Sequence, residues 1–186
     1  MTNQRAKYTS AHVANYILQY FFVYKKEITP LKLQKLLYIA YGWNLVLNKE
    51  NPRLFDEPIV AWKYGPVVPS IYYYFKDKTD DKNNINNIYV ASFDEKGDVI
   101  DYDAPIIPDS DTETRRIVNA VLEKYGEKSG EELVDKLHEK GSPWDKAYNK
   151  NGAEGSGKNS VLNDDEIAER SGIAIDRFIK SKKLSN

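Results

Sequence analysis

Residues 28–52 read ITPLKLQKLLYIAYGWNLVLNKENP, and the pattern in this stretch decides the fold. Thr29 before Pro30 is a helix start. The threonine hydroxyl can accept from a free first-turn amide, and proline at the first helical position gives up no hydrogen bond. Leu33, Leu36, Leu37, Ala40, Tyr41 and Leu45 then spread around most of the circumference rather than along one stripe, the mark of a helix enclosed by others. Asn51-Pro52 is a turn. The expectation is a central, buried helix from Pro30 to about Asn48.

The flanks fit a mainly α domain with a small β-sheet. Before the central helix, Val13, Ile17, Leu18, Phe21 and Phe22 make one apolar stripe on a helix starting near Ser10. After it, Pro58–Tyr64 reads as a short strand closed by Gly65-Pro66, and Pro69 opens a helix. On that helix Ile71, Tyr72 and Phe75 should share the buried face and leave Tyr73 outside. Residues 77–87 are polar and asparagine-rich, a loop. Ile88–Phe93 and Val99–Tyr102 read as a hairpin. Asp109 or Asp111, the Ser129/Glu132 capping box, Ser142-Pro143 and Asp164 or Asp165 each open a further helix. Residues 149–163 are glycine-rich and read as a flexible loop before the last helix. With 186 residues and 41% apolar content, residues 1–186 are expected to form a single domain.

Composition narrows the function classes. Cysteine is absent, which removes disulfides, thiol catalysis and thiolate metal sites. The apolar runs break well before 18 residues, so no membrane span is expected. Residues 1–7 (MTNQRAK) carry no signal-type apolar core, which favours a cytoplasmic protein. The net charge of −1 does not select nucleic acid as partner. The charge is unevenly placed, however. Residues 1–50 hold seven Lys/Arg against two acids, and residues 77–113 hold three Lys against eleven acids, +5 and −8.

No stretch carries recognisable chemistry. Gly152 to Lys158 fits the G-x-x-x-x-G-K phosphate loop, but Asn159 replaces the magnesium-binding hydroxyl and no strand character precedes it. His12 and His138 are the two histidines; no second histidine follows His138 at helical spacing, and His12 lies in the first turn of its helix, where a surface position is the default. Asp109, Ser110 and Asp111 lack the glycine and glutamate of a calcium loop. Accordingly no catalytic residue, cofactor or metal is assigned, and the chain is not expected to be an enzyme. Tyrosine is over-used, 14 of 186, with a Tyr72-Tyr73-Tyr74 run that cannot all face one core. Lys63, Tyr64, Tyr73 and Tyr74 are the candidate partner-binding residues, since exposed tyrosine offers rigid contact area at little entropic loss.

Three stretches in order resemble a known family. LQKLLYIAYGW (33–43), FDE (55–57) and AWKYGPVVP (61–69), followed by His138-Glu139 and Pro143-Trp144, resemble the Panacea domain, the SocA-like antitoxin family, which includes phage-associated proteins. The resemblance is strongest over residues 10–150. It implies an antitoxin of a toxin–antitoxin module, neutralising a toxin encoded by an adjacent gene through direct protein binding, with presentation of the toxin to a cellular protease as a further possibility. Leu36, Leu37, Gly42, Trp43, Trp62, Gly65, Pro66 and Trp144 then read as scaffold, the three tryptophans knitting one core and Gly42 allowing a close approach to the central helix. The alternative is a phage- or prophage-encoded regulator that binds nucleic acid through a basic N-terminal face at Lys25, Lys26, Lys32 and Lys35.

Overall fold

The computed structural model describes residues 5–76 and 88–184, and the polar stretch 77–87 lies outside them. The described residues form a mainly helical protein with two small antiparallel sheets, the expected class. Its centre is α2 (Pro30–Leu47), whose residues 32–44 are all buried. Thr29 caps it by accepting from the Lys32 amide at 3.2 Å. Helices α1 (Ser10–Val23), α4 (Thr112–Tyr125), α5 (Gly130–Leu137) and α7 (Asp164–Leu184) pack against it. That enclosure is what a helix apolar on nearly every side requires.

Local chemistry sets the ends of the surrounding helices. Asp111 caps α4 by accepting from the Thr114 amide at 3.1 Å. Ser129 and Glu132 close a reciprocal capping box on α5. Ser142 caps the short α6 (Pro143–Tyr148). At Gly42 a β-carbon would stand 2.2 Å from the Ser171 hydroxyl and 3.0 Å from an Ile167 methyl. The missing side chain therefore lets α7 lie close to α2.

The β structure departs from the expected single strand. β1 (Val60–Trp62) pairs antiparallel with β2 (Gly65–Val67), in the register Val60 to Val67, Ala61 to Pro66 and Trp62 to Gly65. Gly65-Pro66 thus belongs to the returning strand rather than turning the chain straight into α3 (Pro69–Lys76). Gly65 has φ +99°, a conformation open to glycine and strained for other residues. A second hairpin, β3 (Val90–Phe93) with β4 (Val99–Asp103), carries five exposed residues on β4. Asn15 anchors its base, donating to the Ile88 and Pro105 carbonyls and accepting from the Ile88 amide.

Residues 149–163 form turns that run back along β1. The Asn159 amide donates to the Ala61 carbonyl, and the Leu162 amide donates to Ile59, both at 2.9 Å. No helix among the described residues is long and apolar enough to cross a membrane.

Candidate functional site

Two polar residues of α2 build the site from below. The Gln34 side chain donates to the Val68 carbonyl at 3.2 Å and accepts from the Val68 amide at 2.8 Å, which fixes the entry to α3. Lys35, one residue on, is fully inaccessible and donates from Nζ to the Pro66 carbonyl at 2.9 Å. Burial alone pulls its amine down to about 7, with no carboxylate paired to it among the described residues. A buried amine without a counter-charge destabilises the fold when it is protonated. Here it props the β1–β2 turn from inside.

Above this floor stand aromatic rings. The turn carries Lys63 and Tyr64 at its tip, both exposed, with Tyr64 at 63%. The half-buried Trp62 ring meets Tyr72 edge-on at 4.7 Å and Tyr73 at 6.2 Å. Tyr72 and Tyr73 meet each other at 5.4 Å. Between this cluster and the start of α2 lies a cleft of about 540 Å³, floored by Val67, Ile71 and Phe75. On the far side of the turn, His138 stacks flat on Trp144 at 3.5 Å. The Trp144 indole donates to the Trp62 carbonyl at 2.8 Å. Burial, reinforced by the nearby Lys35, lowers the His138 pKa. The Trp62 Nε1 and His138 Nε2 atoms are buried without a hydrogen-bond partner among the described residues.

Lys63, Tyr64 and Tyr73 come together at this cleft, and Tyr73 is 58% exposed. Tyr74 departs from them: it is half-buried, and its hydroxyl accepts from the Tyr89 amide at 2.8 Å, toward the β3–β4 hairpin. Tyr72 corrects the expected facing. It is 38% exposed and lies under Trp62, while Ile71 and Phe75 alone of that trio are buried. Trp62 likewise stands apart from the core that encloses Trp43 and Trp144, because its indole belongs to the surface cluster.

The remaining motifs resolve into structure. Lys32 and Lys35 are buried, with Lys32 donating to the Gly126 carbonyl at 2.6 Å, and Lys26 pairs with Glu127. The expected basic N-terminal face is thereby broken up. The Gly152–Lys158 stretch follows helix α6 instead of a strand. Its amides at 152, 155, 156, 157 and 158 donate within the protein, so they form no phosphate cradle. His12 closes the first turn of α1 against the Thr9 hydroxyl at 2.9 Å, and burial lowers its pKa. Among the described residues, no group of three or more His, Asp or Glu side chains stands together to hold a metal ion.

The sequence reading gives Gln34 no role and sets Lys35 on a basic outer face, whereas both lie beneath the turn. Their signal was present, since polar side chains on a helix apolar around most of its girth must face inward.

Residues 33–145 match the family described as Antitoxin SocA-like, Panacea domain. The chain is also similar to the antitoxin SocA of Caulobacter vibrioides (strain NA1000 / CB15N), 34% identical over 134 residues. That alignment covers 72% of this chain and 66% of the relative, just under two thirds of its length. No solved structure matches the chain.

Proposed function

The chain belongs to the SocA-like antitoxin family of the Panacea domain, and we propose that it neutralises a toxin encoded beside it by direct protein–protein binding. The observation that carries this reading is the face around the β1–β2 turn. Tyr64 on the turn and Tyr72 and Tyr73 on α3 stand exposed beside Trp62, with Lys35 holding the turn and Gln34 the entry to α3 from below. Rigid exposed aromatics beside an apolar cleft are the usual anchors of a protein interface. The function needs binding alone, with no catalytic group. The acidic β3–β4 hairpin is a second exposed patch, suited to drawing in a basic partner surface. The protein acts in the cytoplasm on this reading, where its toxin is made.

The rival nucleic-acid reading loses its footing with Lys32 and Lys35 inside the protein. The test is co-expression with the neighbouring open reading frame. A product that arrests growth alone, is tolerated with this chain and co-purifies with it supports the reading. A harmless neighbour, or rescue without a complex, counts against it. Toxin that persists in the complex indicates blockade, whereas its disappearance from cells that contain the protein indicates delivery to a protease.

A further inference from the structure

Among the described residues, the lining of the cleft beside the β1–β2 turn carries one sign of charge. Four lysines line it, Lys35, Lys63, Lys76 and Lys158, and no acidic side chain stands among the described residues that line it. Three are exposed at the rim, on three separate elements: Lys63 on the turn, Lys76 at the end of α3, and Lys158 on the stretch 149–163. Lys158 is the lysine of the apparent phosphate-loop motif. Its position comes from elsewhere: the next amide, Asn159, pairs with Ala61 of β1 and carries Lys158 to the cleft. Gly157 packs against α6, with a β-carbon there falling 1.8 Å from the Ala147 carbonyl, so the approach is tight and fixed.

We propose that this cleft seats an acidic segment of the toxin, with an apolar side chain on its floor and carboxylates at the lysine rim. The proposal rests on the antitoxin reading and names the chemistry of the partner at that same face. Charge complementarity selects the ligand's sign, because a cationic segment would meet three rim lysines with no compensating acid among the described lining residues. The floor of Val67, Ile71 and Phe75 selects an apolar anchor, which a nucleic-acid backbone does not supply. The rim offers lysines rather than arginines, point charges suited to single carboxylates and not to bidentate phosphate clamping.

Carbodiimide cross-linking of the complex with the neighbouring gene's product reads the contact directly, because it joins a lysine amine to a carboxylate without a spacer. Links from Lys63, Lys76 or Lys158 to Asp or Glu of the toxin are expected. The Lys63→Glu/Lys76→Glu/Lys158→Glu variant alters exposed side chains only and should remain folded by circular dichroism. It should slow association about tenfold or more and flatten its salt dependence, whereas the Lys→Gln counterpart should fall between. A complex that forms normally, with no rim lysine linked and no loss in the triple variant, overturns the cleft proposal while leaving the antitoxin reading intact. Absence of any complex overturns both. A (dT)12 oligonucleotide that binds the protein, and stops binding in the same triple variant, assigns the cleft to nucleic acid and overturns the proposal as well.

Discussion

Replacing Lys35 by methionine is expected to stabilise the protein at pH 6 by about 3–4 kcal/mol, and to bring no gain above pH 10.5. The folded amine is fully buried and titrates at about 7, against an ordinary value of 10.5. Between those two values the unfolded chain holds a proton that the folded chain has released. Folding therefore weakens as pH falls through this window, and the whole penalty is present below pH 7. At about 1.36 kcal/mol per pH unit, the difference corresponds to roughly 5 kcal/mol. Methionine matches the unbranched shape but forfeits the bond to the Pro66 carbonyl, which removes about 1–2 kcal/mol of the gain. Above pH 10.5 the neutral lysine keeps that bond, so the sign reverses and the variant becomes about 1–2 kcal/mol weaker. Urea unfolding followed by tryptophan fluorescence, on both proteins from pH 6 to pH 11, measures the difference. The buried Tyr38 and Tyr41, whose pKa values burial raises, titrate in both proteins and cancel. A difference independent of pH, or a variant weaker than the parent at pH 6, would refute the reasoning.

Other substitutions probe the frame. Leu36→Ala or Leu37→Ala, each removing an inaccessible side chain from α2, should cost about 2–5 kcal/mol in the same unfolding assay. Gly157→Ala places a methyl against the Ala147 carbonyl and should cost about 1–3 kcal/mol, with faster hydrogen exchange at the Asn159 amide. Asp111 is held down to about 2: burial opposes ionisation, but bonds from Lys7, Tyr8 and Thr114 prevail. The carboxylate thus contributes stability above pH 4 that is lost as pH falls toward 2. Asp111→Asn should therefore cost about 1–2 kcal/mol at pH 7 and almost nothing at pH 2.

What the sequence disclosed follows the range of the forces involved. The central helix and its caps were legible because Thr29-Pro30, Ser129/Glu132 and Ser142-Pro143 act within one turn of their own helices. Strand β2 was not, because Gly65-Pro66-Val67 has no alternation and exists as a strand through its pairing with β1. The facing of Tyr72 failed for a similar reason: Trp62, ten residues upstream, provides the surface it lies on. The site was half legible. Exposure of Lys63, Tyr64 and Tyr73 could be read from the turn and the tyrosine run. Tyr74 turned away because Tyr89, beyond the polar stretch, offers its amide. The arrival of Lys158 depends on backbone pairing across about a hundred residues, for which the local sequence holds no signal.

The central claim is that the face around the β1–β2 turn captures a toxin, and the affinity of the purified complex tests it most directly. Titration calorimetry should compare the parent with Tyr73→Ala, Tyr64→Ala and, as an exposed control that does not line the cleft, Phe22→Ala. Tyr73→Ala and Tyr64→Ala should each weaken binding by about 1–3 kcal/mol while leaving the unfolding midpoint unchanged. Phe22→Ala should leave the affinity as it was. Full affinity in both tyrosine variants, or a loss confined to Phe22→Ala, would contradict the account.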